Sequence, residues 1–328
     1  MGKKGRILSG MRPSGRLHLG NYTGPLENWV KLQDEYENYH LVADWHVLTT
    51  DYQNSDQIPD MIIDVVIDWI GAGINPEKSP MFVQSAVKEH AELHLLFSMV
   101  ITVARLERNP TLKEQIRDLN MEDRVSYGHL GYPVLQAADI LLYKANVVPV
   151  GEDQLPHIEI TREIARKFND TYGDVFPIPK GLITEFARMP GTDGKRMSKS
   201  LNNTILLTED PGELWEKLRK AFTDPQKVRK NDPGDPDKCL IQTYQKYFDT
   251  EREEEMAEGC RKGTLGCVEH KKMICEKMVE RLEPFRKNRE YYLNHLDDIK
   301  SILAEGAKKA GIIAQDTMAD TRKAMKLW

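Results

Sequence analysis

No run in this chain of 328 residues approaches the roughly 18 consecutive apolar residues that span a bilayer. The basic start, Met1-Gly2-Lys3-Lys4-Gly5-Arg6, lacks the apolar h-region of a signal peptide, and Arg6 stands where an N-myristoylation start has Ser or Thr. The chain therefore reads as cytoplasmic, with no membrane partner. Cysteine is scarce, four residues in all, every one between Cys239 and Cys275; in a reducing compartment such a set is not a disulfide framework. Neither charge sign dominates: 46 Lys and Arg against 51 Asp and Glu leave a formal net charge of −5. A nucleic-acid partner must then be met by a local basic face, not by the global field. Internal repeats and low-complexity tracts are lacking. There is no Walker loop, because Gly191 and Gly194 are too close and Lys195 is followed by Arg196. There is no G-x-G-x-x-G, since Gly15, Gly20 and Gly24 are separated by four and three residues. His90 and His94 are spaced i, i+4, but the acid between them is misplaced for H-E-x-x-H, so they read as a solvated helix face. His157 and Glu159 diverge on a helix and make no metal pair.

What is present is a soluble globular composition, 40% apolar and 30% charged, at a length that suits one large domain and a smaller one. Short β-like runs at Arg6–Ser9, His40–Ala43, Met81–Gln84 and Val147–Val150 alternate with helical patterns at 25–36, 57–72, 90–104, 132–144 and 155–168. Ser55-Asp56 reads as the N-cap of the second helix. The alternation predicts an α/β fold with a doubly wound parallel sheet, whose ligands bind beyond the carboxyl ends of the strands. Residues 171–195 read as loop, with glycines that let it move. From residue 210 the pattern is helical and charged, broken at 231–236, and the tail 296–327 reads as an amphipathic helix pair broken at Gly311. The expected domains are a catalytic domain at 1–205, a helical domain at 206–295 and C-terminal helices at 296–328 that pack back on the first.

Two stretches carry the chemistry. Gly15-Arg16-Leu17-His18-Leu19-Gly20-Asn21 follows the first strand and precedes a helix, so its backbone N–H groups and the helix dipole can approach a phosphate. By itself this is an ordinary β–α turn. Far downstream lies Gly194-Lys195-Arg196-Met197-Ser198-Lys199-Ser200. On the helix at 132–144, Tyr132, Gln136 and Asp139 fall at i, i+4 and i+7 and share one face. A polar stripe amid apolar residues needs partners, either a ligand with an N–H or O–H and an α-amino group or a satisfied internal network.

His18-Leu19-Gly20-Asn21 and Arg196-Met197-Ser198-Lys199-Ser200 together resemble the paired "HIGH" and "KMSKS" signatures of the class I aminoacyl-tRNA synthetases. The resemblance runs nearly end to end and is nearest the tryptophan-specific members of the tyrosyl and tryptophanyl branch. It is carried by Ser9–Gly15, Ala43–His46, Leu106–Arg108 and above all Val148-Pro149-Val150-Gly151-Glu152-Asp153-Gln154 with His157-Ile158-Glu159. It implies a Rossmann-like catalytic domain, a homodimer, and activation of L-tryptophan by ATP with Mg²⁺ followed by transfer to tRNA(Trp). It implies no DNA partner.

In that reading the amino-acid carboxylate is the nucleophile and no protein base is needed. His18, Asn21, Arg196, Ser198 and Lys199 align the phosphates and stabilise their charge. Met11, Arg12, Ser14, Gly20, Lys113, Gly151, Asp153 and Met197 complete the ATP site, with Gln115 as another register for the lysine. Asp139 accepts the indole N–H; Tyr132, Gln136 and Gln154 hold the amino and carboxylate groups; Leu8, His46, Val148 and Val150 line the side-chain pocket. Arg12 and Gln136 depart from the Gln and Met of many bacterial members. Alternatives are a tyrosine enzyme of the same branch and a catalytically silent synthetase-like binding protein.

Cys239, Cys260, Cys267 and His270 are clustered soft donors, with Cys275 as another fourth ligand. Buried scattered cysteines are the plain reading. Resemblance adds a [4Fe–4S] cluster, for which some tryptophanyl enzymes use four Cys in this region, and His270 in place of the last Cys leaves Zn²⁺ as the alternative. The helical half also offers Lys217, Arg219, Lys220, Lys227, Arg229, Lys230, Arg261, Lys262, Lys271 and Lys272 as a surface for tRNA phosphates, or simply as a solvated face.

Overall fold

The computed structural model describes residues 2–118, 120–121, 123–151, 155–183 and 189–328. The chain divides into two compact units, one of Met1–Gly15, Asn28–Glu185 and His295–Trp328, the other of Arg16–Glu27 and Phe186–Asn294.

The first unit is an α/β layer structure. Its strands are β1 (Arg6–Met11), β2 (Glu37–Val42), β3 (Met81–Val83), β4 (Val147–Val150) and β5 (Lys180–Ile183). They form one parallel sheet in the order β3-β2-β1-β4-β5. Four of them lie where the apolar runs predict them. β2 is buried at five of its six positions, as expected of a strand covered on both faces. β5 falls in the stretch that reads as loop, because its residues are only half buried or exposed and Pro177 and Pro179 precede it. The strand order reverses about β1, so the crevice of a doubly wound fold opens beyond Met11 and Val150.

The principal helices are α1 (Glu27–Leu32), α2 (Asp44–Asp51), α3 (Ile58–Gly71), α4 (Glu89–Ser98), α5 (Pro110–Asp118), α6 (Tyr132–Leu142), α7 (Leu155–Tyr172), α8 (Pro211–Lys220), α9 (Leu240–Phe248), α10 (Glu253–Arg261), α11 (Cys267–Leu293) and α12 (Leu296–Met325). Several expectations are corrected. The helix at 25–36 opens with a distorted turn, Tyr22–Leu26, that contains Pro25. A tight turn at Tyr52–Gln57 precedes α3, so Gln57 rather than Ser55 or Asp56 caps it. The pattern at 90–104 ends at Ser98. The tail is one helix of 30 residues that runs through Gly311.

α6 is buried almost all round, which is why it reads as an apolar run with few polar interruptions. α12 packs on β3 through small residues one turn apart, Gly306, Ala310 and Ala314, the alanines joining the core with Met318. A Cβ on Gly306 would lie 1.8 Å from the Met81 carbonyl oxygen, so only glycine lets this helix reach the strand.

The second unit is helical, built from α8 to α11 with the short turn at Leu19–Asn21. Among the described residues no helix is long and apolar enough to cross a membrane.

Candidate active site

In the second unit the His18 stretch and the Arg196–Ser200 loop come together. Leu17 and Leu19 hydrogen-bond through their backbones with Leu207 and Ile205, and His18 bridges Leu206. These bonds lay the turn along the segment that follows the loop. His18 precedes the helical turn Leu19–Asn21, and Asn21 Oδ1 accepts the His18 backbone N–H at 3.0 Å, which locks the turn. A Cβ on Gly20 would stand 3.2 Å from the His18 ring and 3.8 Å from Met197, so glycine keeps the imidazole seated. Burial, with help from the charges of Lys199 and Arg196, holds the His18 pKa down to about 4. His18 is thus a neutral imidazole beside two cations, able to donate one N–H without adding to their charge. Its Nδ1 is buried with no hydrogen-bond partner among the described residues.

Met197 is buried and anchors the loop, while Arg196 and Lys199 are exposed. Ser198 Oγ meets Ser200 Oγ at 2.8 Å. The loop's geometry depends on Asn203, which the sequence does not single out. Its Oδ1 accepts the Ser198 N–H at 2.8 Å, and its Nδ2 donates to Asp193 Oδ1 at 2.8 Å and to the Arg196 carbonyl at 3.0 Å.

In the first unit a polar cluster is built on α6. Asp139 is buried; its Oδ2 meets His46 Nε2 at 2.9 Å, and its Oδ1 accepts from Gln84 Nε2 at 2.7 Å and from His90 Nδ1 at 2.6 Å. Burial works to raise the Asp139 pKa, but His90 and His46 outweigh it and hold the carboxylate at about 2. Tyr143 Oη meets His90 Nε2 at 2.7 Å, and burial keeps that phenol protonated. His90 is therefore not on a solvated face. It is wholly buried on the side of α4 that packs against α6, whereas His94 on the same helix is only half buried. Gln84 and His90 are parts of the site that the sequence reading missed; a His amid the Leu and Phe of an apolar stripe was the available signal.

The His46 ring stands edge-on to Tyr132 at 6.1 Å. Gln136, between Tyr132 and Asp139 on α6, is half buried. Leu8, Val148 and Val150 are buried in the core beneath them. Met11, Arg12, Ser14 and Gly151 follow the carboxyl ends of β1 and β4, and the Arg12 guanidinium donates to Thr50 Oγ1. Lys113 is exposed on α5, while Gln115 hydrogen-bonds to Tyr132. Asp153 and Gln154 lie outside the described residues.

Cys239, Cys260, Cys267 and His270 line one narrow cleft of the second unit with Lys227 and Ile241; Cys275 is buried elsewhere. Burial raises the Cys260 and Cys267 thiols, and His270, neutral with its pKa held down to about 4 by burial, meets Gln245 Oε1 through Nε2 at 3.2 Å. Among the described residues no three His, Cys, Asp or Glu stand as a metal-holding group. Cys275 does not line that cleft. Of the basic candidates, Lys227 and Lys271 are buried and donate to the backbone carbonyls of Asp232, Arg219 and Ala221, so they belong to the helical packing. Lys217, Arg219, Arg261 and Lys262 are paired with carboxylates.

In the second unit a neutral His18 stands among loop cations, and the first unit carries a doubly wound parallel sheet with a buried polar cluster on α6; these are the features of a nucleotide-activating enzyme of the class I synthetase type. The chain belongs to the class I tRNA synthetases of the W and Y group, whose family model matches residues 2–283. It is 49% identical to the tryptophan–tRNA ligase of Thermotoga maritima over 98% of this chain and 99% of that one. Against the tryptophan–tRNA ligase of Aquifex aeolicus the identity is 43%, over 98% and 100% of the two chains. The crystal structure of tryptophanyl-tRNA synthetase from Campylobacter jejuni, complexed with ADP and tryptophan, superposes with a TM-score of 0.90 at 33% identity, covering 98% of this chain and all of that one.

Proposed function

We propose that the chain activates L-tryptophan with ATP to tryptophanyl-adenylate and transfers the amino acid to tRNA(Trp). The observation that carries the chemistry is the neutral His18 held in the field of Lys199 and Arg196. The tryptophan carboxylate, ionised at neutral pH, attacks the α-phosphorus, and pyrophosphate leaves. The step calls for alignment and charge stabilisation rather than a base. His18 donates to a phosphate oxygen, Lys199 and Arg196 draw charge onto the departing pyrophosphate, and Asn21, Ser198 and the Gly20 turn hold these groups in place. ATP enters as its Mg²⁺ complex, the ion neutralising phosphate charge. Met11, Arg12, Ser14, Gly151 and Asp153 receive the nucleotide. Lys113, on the exposed side of α5, serves the triphosphate, whereas Gln115 faces Tyr132.

Asp139 takes the indole N–H on Oδ2, which among the described residues meets His46 only, while Oδ1 is engaged by Gln84 and His90. Tyr132 and Gln136, with Gln154, hold the amino and carboxylate groups, and Leu8, Val148 and Val150 line the side-chain pocket. A cytoplasmic homodimer fits the exposed apolar pair Leu95 and Met99, one turn apart at the end of α4. Cys239, Cys260, Cys267 and His270 share one cleft of the second unit, and no step of the reaction is routed through a [4Fe–4S] cluster or Zn²⁺ there. ATP–pyrophosphate exchange decides the substrate: exchange driven by tryptophan and not by tyrosine is expected, and tyrosine-driven exchange would overturn the assignment.

A further inference from the structure

Tyr132 is held by a buried chain of hydrogen bonds with a defined direction. Asn109 caps α5: its Oδ1 accepts the backbone N–H of Thr111 at 3.0 Å and that of Leu112 at 3.4 Å. With the oxygen committed to the helix, the amide Nδ2 faces His157 Nδ1 at 3.0 Å and donates to it. His157 Nδ1 is then the acceptor, so the ring proton sits on Nε2 and is given to Tyr132 Oη. Asn109 and His157 are both about 1% exposed, out of reach of solvent that could substitute for either bond. The His157 ring meets Tyr132 edge-on at 5.1 Å, and His129 stacks on the Tyr132 ring at 5.6 Å. The phenol is thereby fixed in plane and in rotation. Burial raises its pKa, so it stays protonated and keeps an O–H of its own to donate to a ligand.

We propose that His157 is a positioning residue, oriented by Asn109, which sets the hydroxyl of Tyr132 for the amino-acid end of bound tryptophan and ties it to the N-terminus of the helix bearing Lys113. The proposal rests on the reading of Tyr132 as a tryptophan contact. In this reading His157 acts through Tyr132 and not on the substrate itself. Its effect passes through one hydroxyl, which distinguishes it from an ordinary packed residue. An aligned neutral hydrogen bond contributes about 1 kcal/mol, near a tenfold effect.

The test is pyrophosphate exchange with separate KM values for tryptophan and ATP. H157F, which keeps the ring and removes the donor, is expected to raise the KM for tryptophan about tenfold while the KM for ATP moves far less. H157Q, whose amide can reach Tyr132 as the Nε2–H does, is expected to recover most of the loss. In a Y132F background, adding H157F is expected to cost nothing more. A tryptophan KM unchanged in H157F, or a full additional loss in the double variant, overturns the positioning role while leaving Tyr132 as a contact. A tryptophan KM unchanged in Y132F overturns the contact itself, and the proposal with it. Should H157F not fold, Asn109→Asp serves in its place. The new carboxylate still caps α5 but, assayed above pH 8, draws the proton of neutral His157 onto Nδ1, and it must raise the tryptophan KM in the same way.

Discussion

Two side chains of one loop divide the work between charge and shape. Lys199 is exposed and supplies a cation; Asn203 is buried and supplies three hydrogen bonds that give the loop its course. Removing one transition-state donor typically costs about 2.7–4 kcal/mol, or 10²–10³ in rate. Lys199→Ala is therefore expected to lower kcat for exchange by that factor with the KM for tryptophan nearly unchanged. Asn203→Ala keeps every charge but releases the loop, so its expected loss is smaller and appears largely in the KM for ATP. A Lys199→Ala enzyme exchanging at the normal rate would remove the residue from the reaction. Legibility at this scale followed contiguity. His18, Asn21 and the Arg196–Ser200 run are recognisable because their neighbours in sequence are also their neighbours in function. Asn203, His90 and Gln84 act on residues brought to them by the fold, and a lone Asn, His or Gln carries no local signal of that.

Elements were legible where burial left its period in the sequence. Strands β1 to β4 are largely buried and each carries a short apolar run, such as Ile7-Leu8, Leu41-Val42 and Met81-Phe82-Val83, and α6 is apolar because it lies inside. β5 escaped because an edge strand with exposed residues has no such pattern. The division of α12 into two was an error of the opposite kind. Gly311 is a poor helix former, yet nothing crowds it, and the alternation of small residues at 306, 310 and 314 holds the helix to the sheet over its length. The decisive glycine is Gly306. With its Cβ position 1.8 Å from the Met81 oxygen, Gly306→Ala must push α12 off β3 or bend the strand. Overpacking of this kind typically costs about 1–3 kcal/mol. A thermal midpoint lowered by several degrees is expected in scanning calorimetry. A Gly311→Ala control is expected to hold or raise the midpoint, since it meets open space and gains helix propensity.

For the whole molecule, acid sensitivity follows from where the fold hides its histidines. His40 lies in the first unit, wholly buried, stacked on Trp29 at 5.0 Å, with both ring nitrogens lacking partners among the described residues. Burial alone lowers its pKa to about 3. His270 lies in the second unit, and burial lowers its pKa to about 4. An unfolded histidine titrates near 6.5, so in both cases the folded pKa is depressed and the folded state binds fewer protons than the unfolded chain between those limits. The stability each group carries is complete above about pH 6.5 and is lost as the pH falls toward the folded value, at up to about 1.4 kcal/mol per pH unit per residue. Asp139, held at about 2, adds its own loss only below the ordinary carboxylate range. Urea midpoints are thus expected to fall steadily from pH 6.5 to 4.5, before the carboxylates titrate. His270→Gln removes a titrating ring and keeps an N–H for Gln245 Oε1, so it is expected to match the parent near pH 7.5 and to exceed it near pH 5. Equal slopes for parent and variant across that window would mean that His270 is charged in the folded state and that its burial does not set the acid limb.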